Sequence, residues 1–196
     1  MSYTIEQELK ALLTQDEFYR LLDHFQLSQG QALIQTNTYY DSPDQVLKKA
    51  KAALRLRNFS NRSEWTLKIQ QGNHRSLELT QEQAYPQLPA PTSLTKEDLT
   101  DKEILYQIEA LIGQDSFQFE AFLTLKTQRW QVVTPEGEYA LDISHYGPFC
   151  DYELELECQD LREGQAAFSH LLAQYDIPFR PADKKISRAL SALKGQ

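Results

Sequence analysis

Ile5-Glu6-Gln7-Glu8-Leu9-Lys10 is the stretch on which the fold of this chain turns. In an extended strand successive side chains point to opposite faces, so Glu6, Glu8 and Lys10 line one face and Ile5 and Leu9 the other. The pattern returns at Tyr152-Glu153-Leu154-Glu155-Leu156-Glu157-Cys158, with carboxylates on one face and Tyr152, Leu154, Leu156 and Cys158 opposite. Strands this acidic on one side are unfavourable unless something cationic faces them.

Outward from these two segments, period-two alternation recurs. Strands are predicted at Tyr3–Lys10, Gln31–Asp41, Ala53–Phe59, Glu64–Gln70, Arg75–Thr80, Ala121–Val133, Glu138–Ser144 and Asp151–Cys158. Ser42-Pro43-Asp44, Ser60-Asn61-Arg62, Gly72-Asn73 and Pro135-Glu136-Gly137 punctuate them as turns. Thr14-Gln15-Asp16-Glu17 is a capping box ahead of Phe18, Leu21, Leu22 and Phe25 at helical spacing. Further helices are expected over Asp101–Ile112, Gly164–Tyr175 and Lys185–Leu193. The segment Tyr85–Pro91 holds three prolines and reads as a linker between two strand-rich halves. Hairpin-linked strands among amphipathic helices give an α+β class with a mainly antiparallel sheet.

The chain of 196 residues, 41% apolar and 11% aromatic, is long enough to bury a core and reads as a single domain over 1–196. No apolar run approaches the ~20 residues that span a bilayer, and the N-terminus lacks the pattern of a secretion signal, so no membrane association is expected. Cys150 and Cys158 lack metal-type spacing and are expected as free thiols in a reducing cytoplasm. The net charge of −8 argues against nonspecific nucleic-acid binding. Monomer and homodimer are both compatible with the sequence.

A solvated sheet face accounts for alternation by default. Here the polar face is sorted by sign: Glu6, Glu8, Glu153, Glu155 and Glu157 are acidic, and Arg55, Arg57 and Lys68 basic. Eight such strands suffice to curl into a barrel, with apolar faces packed outward on helices and charges lining the lumen. Two carboxylates on the same face of a strand sit about 6.8 Å apart and repel by about 2.4 kcal/mol at an effective dielectric of 20. A hard divalent cation such as Mg²⁺ or Mn²⁺ relieves that repulsion. Paired arginines opposite it suit phosphate oxygens. Acid, metal and base on facing walls describe a polyphosphate site.

Glu6-x-Glu8-x-Lys10 resembles the ExExK signature of the CYTH superfamily, the triphosphate tunnel metalloenzymes. Tyr39-Tyr40-Asp41, Leu54-Arg55-Leu56-Arg57, Thr66-Leu67-Lys68, Thr127-Gln128-Arg129, Asp142, the Glu153–Glu157 ladder and Lys184-Lys185-Ile186-Ser187-Arg188 match that family's segments in order. The resemblance implies an eight-stranded antiparallel β-barrel forming a tunnel that binds a triphosphate-containing small molecule and a divalent metal. By position it implies that Glu6, Glu8, Asp142, Glu153 and Glu155 hold metal or orient water. It likewise implies that Lys10, Arg55, Arg57, Lys68, Arg129 and Lys185 hold phosphate oxygens, with Glu6, Glu8, Lys10 and Glu155 in the catalytic set. Either Lys184 or Lys185 faces the tunnel. Glu157 is a third-rung ligand or a rim charge, and Glu78 is expected in solvent rather than in the acid patch.

Three activities suit such a site: metal-dependent hydrolysis of a triphosphate, cyclisation of ATP to cyclic AMP and pyrophosphate, and polyphosphate or nucleotide binding without turnover. Hydrolysis ranks first, because no distinctive adenine pocket is evident. His24, His74, His145 and His170 set up no nucleophile, Trp65 and Trp130 alternate into the core, and no GxxxxGK[ST] loop is present.

Overall fold

The computed structural model describes residues 2–84 and 89–194. Its strands are β1 (Ser2–Leu13), β2 (Leu33–Asp41), β3 (Ala52–Asn58), β4 (Arg62–Gln70), β5 (Arg75–Ala84), β6 (Ser93–Thr95), β7 (Gln118–Thr134), β8 (Gly137–Tyr146) and β9 (Phe149–Glu157). They hydrogen-bond in the order β2-β3-β4-β5-β1-β9-β8-β7-β6, and β2 pairs with β7 as well. Eight strands thus form a closed antiparallel β-barrel, and β6 adds a short ninth beside β7. β6 is invisible to sequence patterning, because three residues are too few to show a period. The helices are α1 (Gln15–His24), α2 (Val46–Lys49), α3 (Lys102–Ile112), α4 (Leu161–Gln174) and α5 (Lys185–Lys194). None is long and apolar enough to cross a membrane among the described residues.

The chain divides into two compact units, Met1–Ile5 with Thr36–Thr124 and Glu6–Gln35 with Leu125–Gln196. The divisions fall inside β1, β2 and β7. They do not follow the proline-rich segment, of which residues 85–88 lie outside the described residues. In the first unit Leu54, Leu56, Trp65, Leu67, Leu77 and Leu79 of β3–β5 pack with Leu47 of α2 and Ile104 and Ile108 of α3. In the second, Leu9, Ala11, Trp130, Leu141, Leu154 and Leu156 pack with Phe18, Leu21 and Leu22 of α1 and with Phe168, Leu171 and Leu172 of α4. Each buried leucine contributes about 1.5–3 kcal/mol. In both units these helices cover the apolar sheet face, and the alternating charged residues point the other way.

Local chemistry sets the helix ends. The Thr14 hydroxyl accepts from Glu17 N–H at 3.3 Å and the Glu17 carboxylate from Thr14 N–H at 2.7 Å, completing the capping box. Asp101 caps α3 rather than lying within it, accepting from Glu103 N–H and Ile104 N–H. α4 begins at Leu161, earlier than the expected Gly164, because the Asp160 carboxylate accepts from Arg162 N–H and Glu163 N–H. Gly164 lies inside the helix for a packing reason: a Cβ there would collide with Cys158 Sγ, just past the end of β9. β2 starts at Leu33 instead of Gln31, since Gln29–Gln31 form a single 3₁₀ turn. Cys150 is exposed and Cys158 buried, and both are free thiols.

Candidate active site

In the second unit the charged face is assembled by register. Lys10 pairs with Glu155 and Glu8 with Glu157 across β1 and β9, and Asp142 pairs with Glu153 across β8 and β9. Arg129 of β7 lies opposite Asp142. Its guanidinium binds that carboxylate in a fork, with Nε to Oδ1 at 2.7 Å and Nη2 to Oδ2 at 2.6 Å, and Nη2 also reaches Glu155 Oε2. Lys10 Nζ lies 3.1 Å from Glu8 Oε1.

α5 supplies two further cations. The chain before it is tied to β1: Leu12 N–H donates to Arg180 C=O at 2.9 Å, Ala11 forms a bridge with Pro181, and the Arg180 guanidinium binds Glu17. Lys185 and Arg188, three residues apart, then share a helix face. Lys185 Nζ sits 2.8 Å from Asp142 Oδ2, 3.0 Å from Glu153 Oε2, and against Glu155 Oε1. Arg188 Nε contacts Asp151 Oδ2 at 2.8 Å, Nη2 contacts Glu153 Oε2 at 2.6 Å, and Tyr146 donates its hydroxyl to Asp151.

Burial and charge set the protonation of this cluster. Burial would raise the Asp142 and Glu155 carboxyls, but for Asp142 Arg129 and Lys185, and for Glu155 Lys185 and Arg129, outweigh it and hold both below the usual range. Glu153, fully buried, goes the other way: burial pushes its carboxyl up despite Lys185 and Arg188. Burial would lower the Lys185 ammonium, yet Asp142, Glu153 and Glu155 drive it well above its ordinary value.

The first unit holds a second cluster. Arg57 donates from Nε to Asn37 Oδ1 at 2.9 Å and from Nη1 to Glu64 Oε1 at 3.1 Å. Lys68 Nζ lies 2.8 Å from Glu78 Oε1, and Arg55 Nη2 lies 3.6 Å from Glu78 Oε2. Arg55 Nε is buried without a hydrogen-bond partner. The expectation that Glu78 faces solvent is corrected: the residue is 8% exposed, because Arg55 and Lys68 neutralise it. Asp41 does structural work, accepting from the N–H groups of its neighbour Ser42 and of Leu47 and Lys48 in α2.

Of the other candidates, Glu6 is partly buried on β1, and Glu157 is exposed opposite Glu8 and Glu138. Lys185 enters the carboxylate cluster, and Lys184 is exposed. Sequence reasoning missed Glu64, Asn37, Asp151 and Arg188 as members of the charged clusters. The phase of Glu64 with Thr66 and Lys68, and the three-residue step from Lys185 to Arg188, are the signals that could have found them.

Among the described residues, no three acidic, histidine or cysteine side chains are arranged to hold a metal ion. Asp142, Glu153 and Glu155 converge instead on the Lys185 ammonium. The donor chemistry nevertheless fits a hard divalent cation. All the candidate ligand atoms are carboxylate oxygens, and Glu153 Oε1 is buried with no hydrogen-bond partner.

The sequence profile of the CYTH domain matches residues 4–190. The chain belongs to the CYTH family. This CYTH protein is 33% identical over 189 residues to the Bacillus subtilis protein named "Putative triphosphatase YjbK", covering 96% of this chain and 95% of that one. It resembles the crystal structure of a Bacillus halodurans protein described as a "putative adenylate cyclase", with 27% identity, a TM-score of 0.81, and coverage of 96% and 98% of the two chains. The CYTH barrel also matches HpAC1 from Hippeastrum at 18% identity and a TM-score of 0.70, over 96% and 95% of the chains. HpAC1 is described as a "putative adenylyl cyclase" that "reveals a dominant triphophatase activity".

Proposed function

We propose that this CYTH protein is a metal-dependent triphosphatase, releasing the terminal phosphate of a small triphosphate by in-line attack of water. The observation that carries the reading is the interleaving of Asp142, Glu153 and Glu155 with Arg129 and Lys185 at hydrogen-bonding distance. That is the electrostatics of a site for a polyanion and a cation together. The 33% identity to a protein named as a triphosphatase supports the same class of reaction.

Glu6, Glu8, Asp142, Glu153 and Glu155 would hold Mg²⁺ or Mn²⁺. When bound, the ion would supply charge neutralisation on phosphate oxygens and lower the pKa of water. The remaining work falls to the chain. Lys10, Arg129 and Lys185 of the second unit bind phosphate oxygens and stabilise charge on the leaving diphosphate; Arg55, Arg57 and Lys68 of the first unit are cations of the same kind, suited to phosphate oxygens. Asn37 and Glu64 fix the plane of the Arg57 guanidinium, so its donors are oriented before substrate arrives. Glu8 and Glu155 would also orient the reacting water.

The test is phosphate release from tripolyphosphate, thiamine triphosphate and ATP with Mg²⁺ or Mn²⁺. Metal-dependent release from at least one of them is expected. Cyclic AMP with pyrophosphate from ATP would replace hydrolysis by cyclisation. Tight binding of all three without product would leave a sensor.

A further inference from the structure

Asp142, Glu153 and Glu155 surround a single ammonium with oxygens at the distances given above. A divalent cation ligated by the same carboxylates would need their oxygens at about 2.0–2.6 Å. Arg129 and Arg188 already share these oxygens with Lys185, so a divalent cation drawn onto the same atoms adds repulsion that falls hardest on the ammonium, whose flexible stem lets it move away. We propose that Lys185 is a built-in substitute cation, which holds the metal-binding carboxylates together before the metal arrives and is displaced when it binds. The inference rests on the metal-site reading just proposed.

Three features of the second unit favour displacement. Lys185 is the first residue of α5, where the helix frays most readily, and its ammonium rides on a flexible four-carbon stem. Arg188, one turn on, keeps its own grip on Asp151 and Glu153, so the helix stays tethered when the lysine leaves. Glu153 offers only Oε2 to these cations, and its buried Oε1 stays unpartnered. That oxygen is the atom on which an incoming cation can begin to bind before Lys185 lets go. The displaced ammonium is then available to a phosphate oxygen, so metal binding precedes and promotes binding of the triphosphate.

The test needs no turnover. The chelator-stripped full chain is titrated with Mn²⁺ alone, followed by electron paramagnetic resonance, as wild type, Lys185→Met and Lys185→Arg. Lys185→Met is expected to bind Mn²⁺ at least ~tenfold more tightly, since the competing charge is gone. Its metal-free melting temperature is expected to fall, and Mn²⁺ to restore it. Lys185→Arg, which keeps the charge, is expected to stay near wild type. Equal or weaker binding by Lys185→Met, with wild type still binding, overturns the substitute-cation role and leaves the metal site standing. Absence of Mn²⁺ binding in every form overturns the metal site, and this inference with it. Hydrogen exchange on the wild type gives a readout independent of the variants' folding. Mn²⁺ is expected to speed exchange of the amides at the start of α5, and unchanged or slower exchange at bound metal refutes the displacement.

Discussion

Glu78 gives the sharpest energetic prediction. Burial alone would raise its carboxyl, but Arg55 and then Lys68 bring it down from 4.5 to about 2. A gap of about 2.5 pH units between unfolded and folded chain is worth about 3 kcal/mol. The side chain is only 10% exposed, so little of this is lost to solvent screening. Because the folded value is the lower one, this stability is complete above pH 4.5. It drains away as the pH falls toward 2 and is gone below that. Glu78→Gln removes the titration and leaves Arg55 short of a counter-charge. Urea unfolding of the two proteins across a pH series isolates the effect. Wild type is expected to exceed Glu78→Gln by about 3 kcal/mol at pH 7 and by about 1.4 kcal/mol at pH 3, with convergence near pH 2. A difference that does not vary with pH, or one under about 1 kcal/mol at neutrality, would refute the assigned charge state.

Arg57→Ala and Glu8→Ala are each expected to lower phosphate release by about 10²–10³-fold while the far-ultraviolet circular dichroism stays unchanged, since each removes a charge from a partly exposed polar face. Leu154→Ala opens a cavity in a fully buried position between β9 and its helices, so urea unfolding should show a loss of about 2–5 kcal/mol. Cys150 is expected to react with a thiol reagent in the folded chain and Cys158 only after denaturation, because burial raises both thiols but only Cys158 is closed off from solvent.

Much of this architecture is legible in the sequence because it is local. The alternation of Glu6, Glu8 and Lys10 fixes one face of β1, and Thr14 with Glu17 fixes the start of α1. What escaped depends on contacts between distant segments. Whether Glu64 and Glu78 meet water or arginine is decided by the pairing of β3, β4 and β5, which their own neighbours in sequence do not encode. Lys184 and Lys185 are equivalent by composition. The tethers of Arg180 to Glu17 and of Pro181 to Ala11 set the phase at which α5 begins, and so choose Lys185. Gly164, expected as the first residue of a helix, lies inside α4, where its missing side chain admits Cys158.

The order in which the charged ladder is completed carries a consequence for biosynthesis. A ribosome makes Asp151 and Glu153 before it makes Lys185 and Arg188, the cations that contact them. Until that stretch clears the exit tunnel, the nascent chain has to keep these acids hydrated or neutralise them with cellular ions. Native docking of β9 is therefore expected to wait for the synthesis of α5. Ribosome-stalled chains ending ahead of α5 should remain open to protease, and chains long enough to present α5 outside the tunnel should resist it.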